Sequence, residues 1–98
     1  MIVELTALAE NDIADAAVAY EHERPQLGFR FQAELDGTLA RIAENPLQFP
    51  VVTTDIRRAL VAVFPFSVFF LILRSRARVF AVLHQHRHPD SWKTRPQQ

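Results

Sequence analysis

Six apolar residues in succession, Val68-Phe69-Phe70-Leu71-Ile72-Leu73, constrain the fold of this chain more than any other feature. A segment apolar on both faces has to be covered on both sides, so it predicts a central strand running from Phe66 to Arg74. The wider apolar stretch, Ala59 to Leu73, has 15 residues, is interrupted by Pro65 and Ser67, and is flanked by Arg58 and Arg74. It is too short to cross about 30 Å of hydrocarbon as a helix. Ile56 to Phe64 predicts a strand before it and Arg78 to His86 a strand after it. Short connections around Pro65 and at Ser75-Arg76-Ala77 make these strands antiparallel neighbours. Alternation along the last strand predicts Arg78, Phe80, Val82, His84 and His86 on one face, with Val79, Ala81, Leu83, Gln85 and Arg87 on the other.

Ahead of Pro46 the period is different. Ile2 to Leu5 is a short β-type segment closed by Thr6, a residue suited to capping a helix. Ala9, Ile13, Ala16, Ala17 and Tyr20 then form one helical stripe, with Glu10, Asp12, Asp15 and Glu21 off it. Pro25 ends this helix by disfavouring helical geometry at Arg24 and removing a donor. A second stripe, Gly28, Phe31, Leu35, Leu39 and Ile42, runs to Asn45-Pro46, and Gly37 inside it costs about 1 kcal/mol relative to alanine. So short a link makes the helices antiparallel. The predicted order is β-α-α-β-β-β, an α+β fold in which a helical hairpin packs on a small antiparallel sheet.

The 98 residues, 49% of them hydrophobic and 22% charged, fit one domain over 1–98 with its core at about 2–93. That balance excludes wholesale disorder, collagen and coiled coil. The absence of cysteine excludes disulfides, thiolate zinc sites, iron–sulfur clusters and a cysteine nucleophile. Met1-Ile2-Val3-Glu4 shows neither the basic nor the long apolar region of a secretory signal, so a cytoplasmic location is expected. Thr94 to Gln98 reads as a loose end. The formal net charge of zero is a sum of two halves. Residues 1–50 hold three arginines against nine carboxylates, net −6, while residues 51–98 hold eight cations against two carboxylates, net +6. Such asymmetry suits a surface that meets nucleic acid or an acidic protein.

Polar and aromatic residues with chemical potential concentrate in His84-Gln85-His86-Arg87-His88-Pro89-Asp90-Ser91-Trp92-Lys93-Thr94-Arg95. A metal site would have to use alternate histidines. On a strand, i and i+2 lie about 6 to 7 Å apart and i and i+4 about 13 Å, so of His84, His86 and His88 only two could share an ion, which is too few. No metal or other cofactor is therefore assigned. Acid–base cleavage of RNA is a second reading: His84 or His86 supplies a base or acid, and Arg57, Arg58, Arg74 or Arg87 holds phosphate. A third is a protein-binding surface built from the arginines and Trp92. For Trp92 the alternative is a plug at the end of the core, and for Tyr20 and the phenylalanines the core reading is the stronger.

The order of elements and the wording of the tail resemble the RelE/ParE superfamily of type II toxin–antitoxin toxins, and most closely its ParE-like branch. The resemblance rests on Ala9-x-x-Asp12-Ile13, Gly28-x-x-Phe31, Asn45-Pro46, Arg57-Arg58, Phe64-Pro65-Phe66 and His84-x-x-Arg87-x-Pro89-x-x-Trp92-x-x-Arg95, and covers about residues 2 to 95. It implies a cytoplasmic toxin neutralised by a small acidic antitoxin, ParD-like or similar. ParE-type members act on DNA gyrase, and RelE-type members cut messenger RNA at the ribosome. The family's ribonucleases draw on lysines, arginines, a glutamate or histidine and a late tyrosine. Here Lys93 is the only lysine and Tyr20 the only tyrosine, and Gln85 follows His84 where ribonuclease members carry an aromatic residue. The resemblance therefore points to gyrase, with His84, His86, Arg87, Trp92 and Arg95 as target-binding candidates and no catalytic residue assigned. Arg57, Arg58 and Arg74 are the antitoxin-binding candidates. The alternatives are a ribosome-dependent endoribonuclease using His84, Arg87, Arg57 and Arg58, and a non-toxic module that only binds its antitoxin. Membrane association is not expected, nor is direct nucleic-acid contact outside the ribonuclease alternative.

Overall fold

The computed structural model describes residues 1–97. The chain runs β1 (Ile2–Leu5), α1 (Ala7–Glu23), α2 (Leu27–Glu44), β2 (Val51–Thr53), β3 (Ile56–Leu60), β4 (Phe66–Leu73) and β5 (Arg76–His84), with 3-10 turns at Pro46–Gln48 and Ser91–Thr94. Both helices lie where the two stripes predict them. Thr6 caps α1 through its hydroxyl, which accepts the Ala9 N–H at 3.1 Å. The α2 N-terminus is capped from its neighbour: the Glu21 carboxylate accepts the N–H groups of Gln26 at 2.9 Å and Gly28 at 3.0 Å. Gly28 is where the helices touch, since a Cβ there would sit 2.5 Å from the Ala17 carbonyl oxygen.

Five strands form one sheet in the order β1-β5-β4-β3-β2. The α+β layout stands, with β4 central as its apolar run requires. The sheet is mixed, because β1 returns parallel to β5 with Ile2 opposite Arg76 and Leu5 opposite Val79. The extra strand β2 escaped the sequence because its three residues are all exposed at an edge and show no alternation. The predicted strand from Ile56 to Phe64 stops at Leu60. Beyond it the chain doubles back through Val63 at φ 73, Val61 N–H donates to the Phe66 carbonyl at 3.0 Å, and Phe64 tucks against Tyr20 at 4.9 Å. The last hairpin begins two residues earlier than predicted because Arg74 (φ 50) and Ser75 (φ 64) form the whole turn, the two-residue pattern of type I′.

The alternation expected along β5 is broken by a bulge. Phe70 pairs with Val79 and Phe69 with Ala81, so Phe80 is an extra residue. The faces exchange at that point. Ala77, Val79 and Val82 pack beneath the helices with Phe31, Leu35, Ile42, Val68 and Phe70, while Phe80, Ala81 and Leu83 join Ile56, Phe69, Leu71 and Trp92 on the outer face. Phe80, predicted to share a face with Val82 and His84, is thus on the opposite one.

Candidate functional site

The polar cluster sits where β5 leaves the sheet. His84 is half-buried at the strand end with its ring 5.3 Å from that of Phe66. Its Nδ1 accepts the backbone N–H groups of His86 at 3.1 Å and Arg87 at 3.2 Å, and the His84 carbonyl accepts from His88 N–H at 3.2 Å. Accepting at Nδ1 places the proton of the neutral ring on Nε2. Burial first, then the charges of Arg87, His86 and His88, holds the His84 pKa below its ordinary value. Gln85 is fixed on both sides: its N–H donates to the Pro65 carbonyl at 2.8 Å and its side-chain amide to the Phe66 carbonyl at 3.3 Å.

Two clefts flank this turn. One, of about 190 Å³, lies between α1 and the end of β5 and is lined by Asp12, Asp15, Phe66, His84, Arg87 and His88. The other, about 60 Å³, opens on the outer face among Arg58, Ser67, His84, Gln85 and His88. Beside it runs a groove of about 770 Å³ floored by Val52, Ile56, Phe69 and Trp92, with Arg58 and Lys93 on its walls. The fold therefore brings His84, Arg87 and Arg58 to one end of the sheet. His86 joins them, its ring 5.8 Å from that of His84.

Other candidates go elsewhere. Arg57 points toward the helical layer, where its Nη1 donates to the Phe49 carbonyl at 2.6 Å. Arg74 occupies the β4–β5 turn at the opposite end of β5 from His84, about 26 Å away at the usual strand rise. Trp92 is 8% exposed, stacked on Phe69 at 4.9 Å, with its indole N–H donating to the Pro89 carbonyl at 3.0 Å. That is the core-plug position. Arg95 is not loose: its Nη1 lies 2.5 Å from Asp12 Oδ2, with side-chain exposures of 16% and 14%. Of the end expected to be loose, Gln98 lies outside the described residues. Lys93 pairs with Asp90 at 3.2 Å. Tyr20 packs on Phe31, Phe64 and Phe66, and burial raises its pKa ahead of the charge of Glu23.

Two site residues went unread in the sequence. Ser67 is 3% exposed and lines the outer cleft; a hydroxyl inside the most apolar strand was its signal. Asp12 also accepts the Val82 N–H at 2.9 Å, a role with no local signal. Among the described residues no three histidine, aspartate or glutamate side chains group as a metal site, and no helix is long and apolar enough to cross a membrane.

A solved structure described as the chromosomal ParDE toxin–antitoxin system from P. aeruginosa superimposes with a TM-score of 0.76 at 15% identity, covering 86% of this chain and 95% of that one. At that identity the likeness concerns the fold alone. No curated protein matches the sequence. The sequence profile of the family described as the ParE toxin of type II toxin–antitoxin system, parDE, matches residues 3–89. With a helical hairpin on a five-stranded sheet and a profile match over most of its length, the chain belongs to the ParE toxin family of type II toxin–antitoxin systems.

Proposed function

We propose that this chain, acting as one domain in the cytoplasm, is a toxin that binds and blocks DNA gyrase and is neutralised by a cognate acidic antitoxin. The observation that carries the gyrase reading is the state of His84. Its Nδ1 is occupied by two backbone N–H groups, so its neutral ring has no free lone pair with which to act as a base. The chain's only lysine is paired with Asp90 and its only tyrosine is packed against phenylalanines, which supports inhibition by binding rather than by RNA cleavage. The face offered to the target is the turn at His84, His86 and Arg87; of the other two candidates, Trp92 is taken up by Phe69 and Arg95 by Asp12. Purified gyrase tests this: the protein is expected to inhibit supercoiling and stabilise the cleavage complex, and neither effect at saturating protein would overturn it.

One observation favours the ribonuclease reading: His84 lines a cleft with Arg87 on one side and with Arg58 on the other. As the acid, His84 would have to carry a proton on both ring nitrogens, giving up the two bonds at Nδ1, with the arginines as phosphate holders. Cleavage of mRNA in a translation extract that survives both His84→Ala and Arg87→Ala removes that assignment. For the antitoxin, Arg58 beside the outer groove is the best-placed of the three candidates, since Arg57 is used internally.

A further inference from the structure

The end of the sheet opposite the histidines carries its own cationic corner. Arg74 stands in the β4–β5 turn, and Arg76 and Arg78 follow two residues apart on the outer face of β5. Among the described residues their one acidic partner is Glu4 on β1, which Arg76 approaches at 2.7 Å and Arg78 at 3.2 Å. These arginines hold the Glu4 pKa below its ordinary value, so the local sum at neutral pH is three guanidiniums against one carboxylate. Together with Leu73 these residues line an open concavity of about 610 Å³.

Two features mark the corner as a binding surface. Arg74 has no side-chain hydrogen bond or ion pair among the described residues, and both Arg74 and Ser75 have positive φ. Such a turn is made most cheaply by Asn-Gly, and side chains held in this region cost about 1 to 2 kcal/mol each. An arginine without a side-chain partner among the described residues thus stands at a position where it strains the backbone. The lining also decides the class of ligand. Among the described residues Leu73 is its only apolar member, whereas protein partners draw their affinity from apolar and aromatic anchors. A ligand that such a set of guanidinium forks can hold without apolar anchors is a phosphodiester backbone, whose affinity comes from repeated charge and counterion release.

We propose that Arg74, Arg76 and Arg78 form a nucleic-acid backbone site, independent of the surface at His84 and restrained by Glu4. The test is fluorescence anisotropy of the full chain with labelled random-sequence duplex DNA and with single-stranded RNA. With two or three phosphates engaged, affinity falls about 10- to 40-fold between about 50 and about 200 mM salt. Replacing the turn by Arg74→Asn with Ser75→Gly raises the melting temperature yet weakens binding about threefold or more, so loss of binding cannot be ascribed to misfolding. Glu4→Gln acts in the opposite direction, releasing two guanidiniums and tightening binding by a similar factor. Arg30→Gln, exposed on α2 and outside every surface described above, leaves it unchanged. Binding to either nucleic acid supports the site, and the tighter of the two identifies the source of the backbone. No salt-sensitive binding, loss with Arg30→Gln instead of the turn variant, weakening by Glu4→Gln, or equal affinity for a polyglutamate peptide would each overturn it.

Discussion

A histidine whose Nδ1 accepts two backbone N–H groups can take up a proton only by giving those bonds up. His84 is in that position at the end of β5, and the direction of its pKa agrees with the geometry. The neutral form is favoured in the folded state, so the unfolded chain binds the proton more readily. The contribution of His84 is therefore complete above its ordinary value of 6.5 and is lost as pH falls below it. Urea denaturation from pH 8 down to pH 5 should show this as a loss that His84→Asn abolishes, because the amide oxygen accepts the same N–H groups without titrating. His84→Ala should cost about 1 kcal/mol at neutral pH through the unpaired turn. An unchanged pH profile in the asparagine variant would disprove the role. From the sequence His84 was legible as a polar residue at a strand end and as a candidate site. Its tautomer was not, because that depends on how the following two residues turn.

At the level of elements, the unusual problem is the exposed edge of β5. β1 pairs with β5 only as far as Val79, where the Thr6 N–H meets the Val79 carbonyl at 3.0 Å and α1 begins. Past that point Asp12 and Arg95 replace the missing strand. Asp12 Oδ2 accepts the Val82 N–H at 2.9 Å, and Arg95 Nη1 reaches the Phe80 carbonyl at 3.4 Å while pairing with Asp12. Helix, strand and tail are joined at one carboxylate. Asp12→Ala leaves a largely buried guanidinium and a strand N–H without partners, and should lower stability by about 2 to 3 kcal/mol in chemical denaturation. Asp12→Asn, which still accepts from Val82, should lose less. A value for Asp12→Ala within about 0.5 kcal/mol of the parent would show the strap to be incidental. The sequence placed Asp12 off the apolar stripe and so on the solvent side. Its partners are 70 and 83 residues away, and helical period carries no information about them.

At the scale of the molecule, among the described residues, the −6 and +6 halves meet as ion pairs in two places, Glu4 with Arg76 and Arg78, and Asp12 with Arg95. The remaining arginines are sorted by what surrounds them. Arg58 borders the large outer groove, the turn arginine Arg74 stands in the corner with Arg76 and Arg78, and Arg57 is tied to the chain. Exposed ion pairs contribute only about 0 to 1 kcal/mol, so an acidic antitoxin segment must draw most of its affinity from apolar contacts rather than from Arg58 alone. Arg58→Glu is accordingly expected to shorten the lifetime of the antitoxin complex several-fold in surface-plasmon measurements without changing the melting temperature. Arg57→Glu should lower the melting temperature first. The reverse pattern would exchange their roles.

Taken by itself, the sequence determined the two helices, the central place of β4 and the charge asymmetry, because each follows from local period or composition. Pro25 and Asn45-Pro46 set the helix ends through their own backbone geometry. What only the tertiary structure decided are the parallel return of β1, the bulge that moves Phe80 to the outer face, the capture of Arg95 by Asp12, and the separation of Arg57, Arg58 and Arg74. Each of these depends on a hydrogen bond or contact between residues far apart in the chain, and such pairings are settled by packing rather than by the pattern around any one residue.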